Sequence, residues 1–295
     1  MTGKEASSSK RNLTVDTLKG VAILLVVFGH CLNNVIESPL VETPPAWIPA
    51  AKNFIYFFHM PLFFFLSGIF SYKTASHGLK TALIDKIKRL LVPYVVFSVL
   101  TTVVKVIFSD YQNNPRELSV LLRAWYEPIG IYWFLYALFF ISILYCIVVA
   151  IVKDETRSNV IFLSIGIALY ILGYHLEKLP IFWISYTIYQ FQIWFTLGLF
   201  GKQILSSFEK HSDQNREPRY PAVLYKPGQK TMDIYCLHQF VAGGFRIIFL
   251  KLLGTSFLSA RVIFITIATM IICYLISVSK IAETKVYKVC LGYKI

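Results

Sequence analysis

Charge is what this sequence is short of. Only 15% of its 295 residues are charged, against about a quarter in an ordinary soluble domain. Carboxylates are scarcer still, with 16 Asp and Glu against 29 Lys and Arg, for a net charge of +13. No polar stretch is long enough to fold as a separate soluble domain, so residues 1–295 read as one unit. Cysteine is also sparse: Cys31, Cys146, Cys236, Cys273 and Cys290 are scattered, mostly in apolar runs, with no C-x-x-C spacing. That excludes a disulfide framework or a zinc knuckle and leaves small packing residues. The histidines lack carboxylate or thiolate companions at ligand spacing, so no metal site is expected. There is no G-x-S-x-G elbow either; Ser67 sits in an apolar-flanked Leu-Ser-Gly, so no serine nucleophile is evident. No internal repeat is visible, which argues against a transporter built from inverted repeats.

What is present is apolar length. Hydrophobic residues make up 56% of the chain, gathered in runs long enough to cross a hydrocarbon layer as helices. The fold class expected is all-α: a polytopic transmembrane bundle of about eight spans. Their approximate limits are Thr17–Val35, Phe54–Tyr72, Leu91–Phe108, Tyr132–Val152, Val160–Tyr174, Trp183–Leu205, Met232–Leu252 and Phe257–Ser279. The fifth is short enough to be partly re-entrant. The first run follows Lys10 and Arg11 but lacks a small-residue cleavage site, so it reads as a retained helix. Residues 1–11 read as a disordered cytoplasmic tail, and 202–231 as a polar cytoplasmic loop.

With both termini inside, 21 of the 29 basic residues fall on the cytoplasmic side, the asymmetry that the positive-inside rule requires. The net charge is therefore mostly topology and gives no reason to expect nucleic acid as a partner; the expected surroundings are a lipid bilayer. Trp47, Trp125, Trp133 and Trp183 all fall near the expected outer boundary, as belt residues do.

The polar groups within the spans carry the chemistry. Lys19 and His30 are eleven positions apart, hence about 20° apart around a helix and about 16 Å apart along it. Asp16, in the first turn, and Asn33 or Asn34 and Glu37 extend the same polar stripe. Intramembrane ionisable groups are functional by default; a histidine packed against a neighbouring carbonyl is the plainer alternative. His59 lies near the outer end of the second span, at a depth like that of His30, unless it only reaches the interface. Pro61, two residues on, should kink or start that helix. Lys86, Lys88 and Arg89, between the second and third spans, suit an anionic ligand or ordinary inside-positive anchoring. Asp233 and His238 stand at the entrance of the seventh span, where His238 reads equally well as a satisfied interfacial residue.

The stretches DTLKGVAILLVVFGH, FIYFFHMPLFFFLSG, KIKRLLVPY, YWFLYALFF and TMDIYCLH, in that order, resemble the acyltransferase-3 family of integral membrane acyltransferases, above all its fucose 4-O-acetylase-like branch. The resemblance implies transfer of an acetyl group from acetyl-CoA, a donor substrate rather than a tightly bound cofactor, to a hydroxyl of a cell-surface or lipid-linked carbohydrate. It implies that His30 is the essential histidine of the first helix and that Lys19 takes the place of the family's usual Arg. Lys86 and Arg89 then lie near the CoA phosphates. His30 would act as the base, shared with His59, while Asp16 and Lys19 fix the donor. Family members often have ten helices, two more than are counted here. Two other readings stay open: a transporter or flippase of a lipid-linked sugar or acyl donor, and a shortened, non-catalytic member. The expected location is the plasma membrane, with both termini cytoplasmic.

Overall fold

The computed structural model describes residues 12–111, 117–176, 190–201 and 221–293, and among them there is helix and no strand. The first helix, α1 (Leu13–Ile36), begins where Asn12 accepts a hydrogen bond from the Val15 amide at 3.1 Å. The Asp16 carboxylate stands in its first turn, beside the positive helix end. The second, α2 (Trp47–Gly68), starts well before Phe54 and runs through Pro61 as one helix, so the proline does not start it. After the short α3 (Ser71–Ala75) comes α4 (Leu79–Lys86), which passes through a π-helical turn (Ile87–Leu91) into α5 (Val92–Ile107).

The basic stretch around Lys86 and Arg89, read from the sequence as lying between spans, is therefore inside a helix. Pro93 has no N–H to give to the turn before it, and a π-helical turn absorbs that mismatch without ending the helix. Then follow α6 (Trp133–Val152) and α7 (Glu155–Leu176); the latter is 22 residues long, longer than the fifth span expected. Residues 190–201 form α8, the described part of the span expected over 183–205.

Of the polar connection expected over 202–231, residues 202–220, like the tail 1–11, lie outside the described residues. The rest carries a helix, α9 (Ala222–Gln229), docked along the start of α1. The chain closes with α10 (Thr231–Leu253), α11 (Leu258–Val278) and α12 (Lys285–Cys290).

Five helical segments among the described residues are long and apolar enough to cross a membrane: Leu13–Ile36, Leu79–Ile107, Gly130–Val152, Glu155–Leu172 and Leu258–Val278. Both α2 and α10 are as long, at 22 and 23 residues. They pack into the same bundle around α1, which touches α2, α9, α10 and α11. One face of α11 shows what surrounds the bundle. Ile263, Ile267, Ile271 and Leu275, spaced four apart, are 51%, 53%, 53% and 56% exposed. A continuous apolar stripe of this kind suits hydrocarbon, not water.

Aromatic contacts fill the interior. Phe64 stacks on Phe191 with ring centroids 4.8 Å apart and meets Phe134 edge-on at 4.9 Å. Each such pair adds about 0.5–1.5 kcal/mol beyond the area it buries. At one end of the bundle Trp47 donates its indole N–H to Ser259 Oγ at 3.0 Å, tying the start of α2 to α11. Trp125, whose backbone carbonyl accepts from the Tyr136 hydroxyl, is 70% exposed.

Candidate active site

The helix α1 is the axis of the site. In its last third, His30 stands near two other histidines. Tyr56 of α2 places its hydroxyl 3.2 Å from His30 Nδ1, while its ring lies 4.9 Å, centroid to centroid, from that of His59. Tyr56 thus bridges the two imidazoles that the sequence put at similar depth. From α10, His238 brings its ring to 5.3 Å from that of His30. The proximity of His30 and His238 was not legible in the sequence: they are far apart along the chain. Only the TMDIYCLH motif pointed to His238 at all.

Hydrogen bonds fix two of the three tautomers. A backbone carbonyl can only accept, so His59 Nδ1–H donates to Ile55 O at 2.7 Å. His238 Nδ1–H donates to Tyr235 O at 2.8 Å, with Ile234 O at 3.2 Å. In both rings Nε2 is left with a lone pair. For His238 that nitrogen is buried and has no partner among the described residues. Neighbouring aromatics hold α10 in place: Tyr132 Oη donates to Cys236 O at 3.2 Å and shares a 3.0 Å bond with Thr101, and Tyr235 Oη donates to Ile131 O. His59 and His238 are fully enclosed, whereas His30 is partly accessible.

Toward the start of α1 lies a cavity of about 360 Å³, within the size range of small-molecule sites. Lys19, Lys86 and Arg89, three of the cations singled out in the sequence, line it together. Among the described residues none that lines it is acidic. Arg89 is braced by Asp85 on the same helix, Nε to Oδ1 at 2.9 Å. Ser142 of α6 also lines the cavity, and its buried Oγ has no partner among the described residues. The π-helical turn turns Arg89 and Leu90 toward this space, a local irregularity of the kind often found at functional sites.

One wall comes from the segment after α12. Gly292 lies against the backbone of Lys88 and Arg89 with φ +69°, and a side chain there would collide with the Lys88 carbonyl. Its neighbour Tyr293 lines the cavity and donates its hydroxyl to Asp233 Oδ2. Tyr287 donates to Asp233 Oδ1 at 2.7 Å. Burial first, and the Asp233 carboxylate second, push the Tyr287 phenol above its ordinary value, so it remains a donor at neutral pH.

Asp16 is not brought into this cavity. It is buried, and its Oδ2 accepts from Gln229 Nε2 at 3.1 Å, which fastens α9 to α1. His30 lines neither the cationic cavity nor a small one at the far end of α1, and stands between them. Among the described residues no three His, Cys, Asp or Glu side chains converge to hold a metal ion.

The sequence has relatives among known proteins. Two nodulation proteins named NolL are similar to the chain. The one from Sinorhizobium fredii is 34% identical over 137 residues, 45% of this chain and 35% of its own. The one from Mesorhizobium japonicum is 32% identical over 148 residues, 47% of this chain and 36% of its own. The match thus spans about a third of the length of these relatives. No solved structure matches. A model of the acyltransferase-3 family, described as an acyltransferase domain, matches residues 12–210, which hold His30, His59, Lys19, Lys86 and Arg89. The chain belongs to the acyltransferase-3 family of multi-pass membrane enzymes that transfer acyl groups.

Proposed function

We propose that this enzyme moves an acetyl group from acetyl-CoA to a hydroxyl of a cell-surface or lipid-linked carbohydrate. The observation that carries the reading is the pairing on α1 of a cavity lined by three cations with a histidine cluster further along the same helix. Lys19, Lys86 and Arg89 suit the phosphates of a CoA thioester, and the long arm of such a donor can reach along α1 toward His30. The basic residues at this end of the bundle, among them Lys73, Lys80, Lys88, Lys153 and Arg157, support a cytoplasmic assignment for it in the plasma membrane.

In the proposed step the acceptor hydroxyl oxygen attacks the thioester carbonyl. His30, in the tautomer that carries its proton on Nδ1 beside the Tyr56 hydroxyl at 3.2 Å, takes the hydroxyl proton on Nε2. The C–S bond breaks, the new ester leaves, and the imidazolium returns the proton to the thiolate to give free CoA. His238 and His59, in the same cluster, each keep Nε2 unprotonated. The test is acyl-CoA turnover by the purified protein with saccharide acceptors, compared with His30→Ala. The variant should be slower by roughly 10²–10⁴. Equal turnover would remove the histidine from the mechanism. Transport of a labelled donor or sugar with no ester formed would replace the reaction by movement across the bilayer.

A further inference from the structure

At the far end of α1 from the cationic cavity, one turn beyond His30, a small cavity of about 30 Å³ opens between α1, α10 and α11. A site of this size holds about two water-sized groups: room for the head of an anion, not for a sugar ring. Its polar lining is Asn34 from α1, Ser38 just after that helix, Arg246 from α10 and Arg261 from α11. Among the described residues no acidic one lines it.

Two of these groups are buried with hydrogen-bonding capacity unused. Arg261 is 7% exposed, and its Nε–H has no partner among the described residues. Ser38 is also 7% exposed, and its Oγ has none. The Arg261 head is held rigidly. Nη1 donates to Gly254 O at 2.5 Å and, weakly, to Ser256 O at 3.5 Å, and the guanidinium lies 5.8 Å from the Phe249 ring centroid. Arginine does not shed its proton inside proteins, so this is a fixed positive charge in a place where an uncompensated charge is costly. A guanidinium edge beside a hydroxyl and an amide is suited to an oxyanion.

We propose that this cavity is the anchoring subsite of the acceptor, and that it takes an oxyanion carried by the saccharide, a carboxylate or a phosphate. Calling the ligand an acceptor rests on the acyl-transfer reading; the anion site itself does not. Asn34 stands four residues, about 6 Å of helix rise, from His30. A sugar held by its anionic group at Asn34 and Arg261 therefore presents neighbouring hydroxyls toward the imidazole. A neutral sugar lacks the group that the buried guanidinium needs.

The test is binding without any acyl donor, read by titration calorimetry on the detergent-purified chain. Glucuronate, glucose 1-phosphate, inorganic phosphate and neutral glucose are compared, so that the carboxylate and phosphate sources are told apart. One anionic sugar should bind at least roughly tenfold tighter than glucose, the ratio that a single charge-assisted hydrogen bond provides. Arg261→Gln should abolish the difference, while His30→Ala should retain it. Should Arg261→Gln fail to fold, because its Nη1 also holds the Gly254 carbonyl, Ser38→Ala removes only the unpartnered hydroxyl and should weaken anion binding several-fold. Equal binding of glucose, or anion binding unchanged in both variants, overturns the subsite. Anion binding that depends on Arg261 in a protein that transfers no acyl group keeps the subsite and removes the acyl-transfer reading instead.

Discussion

Single side chains decide most at the histidine cluster. His238 uses Nδ1–H on the Tyr235 carbonyl and keeps a buried, unpartnered Nε2. Asparagine can keep the first contact and cannot supply the second. His238→Asn should therefore fold normally while turnover falls by roughly 10². Unchanged turnover with an unchanged melting temperature would mark His238 as packing alone. Lys19 tests the other end. Its ammonium lines the cavity with Lys86 and Arg89, so Lys19→Ala should raise the donor KM about tenfold with kcat nearly held, and Lys19→Arg should restore it. A fall in kcat at constant KM would sink its donor-binding role.

The sequence places Lys19 and His30 on one face because helical spacing fixes it, and that expectation needs no tertiary contact. Their partners do need one. Tyr56 touches His30, and His238 faces it, only because α2 and α10 both pack on α1, and no periodicity within one helix encodes that.

Between elements, the closest approach is that of α9 to α1. A Cβ on Gly228 would run into the Asp16 carbonyl, and one on Gly20 into that of Leu224, so the two backbones meet with nothing between them. Within a bilayer, where helices gain little from leaving lipid, such small-residue contacts are what hold them. Gly228→Val should lower stability by about 1–3 kcal/mol, the usual cost of overpacking, seen as a lower melting temperature in detergent. No change would mean that α9 is detached in solution. The helical nature of 222–229 escaped a reading by composition because Lys226, Pro227 and Gly228 look like loop chemistry; it is the fit of Gly228 against α1 that makes a helix useful there.

The segment after α12 is held in a different way, by Tyr287 and Tyr293 on the buried Asp233. Asp233→Ala leaves both phenols without their acceptor, at about 1.5–3 kcal/mol for each bond to a charged group. Protease should then cut near residues 285–293 faster, and the donor KM should rise, since Tyr293 walls the cavity. Equal cleavage of both proteins would show that the tether is not what holds this wall.

For the whole molecule, the two ends of the bundle should meet different solutions. In a Cys290→Ser background the other four cysteines are buried, so single reporters can be read cleanly. A cysteine at His77, between α3 and α4, should react with an impermeant maleimide only from the cytoplasmic side. One at Leu40, 62% exposed between α1 and α2, should react only from outside. Labelling of both from one side would overturn the proposed orientation. That the chain is a bundle of apolar helices was legible because apolar runs need no partner to be recognised, although five segments among the described residues, not the eight expected, are long and apolar enough to cross a membrane. The limits of α5 were legible to within a residue, whereas the early start of α2 and the helix that leads into α5 were not, because Trp47–Asn53 and Leu79–Leu90 are too polar to read as membrane helix.

One helix, α1, lines a cavity at each of its ends, near Lys19 and near Asn34, about 22 Å apart by helix rise. For pharmacology that separation means two independent targets. A polyanionic compound that occupies the Lys19 end leaves the Asn34 end untouched, so inhibitors of the two ends should bind together rather than exclude one another. A resistance substitution against one would leave the other fully potent.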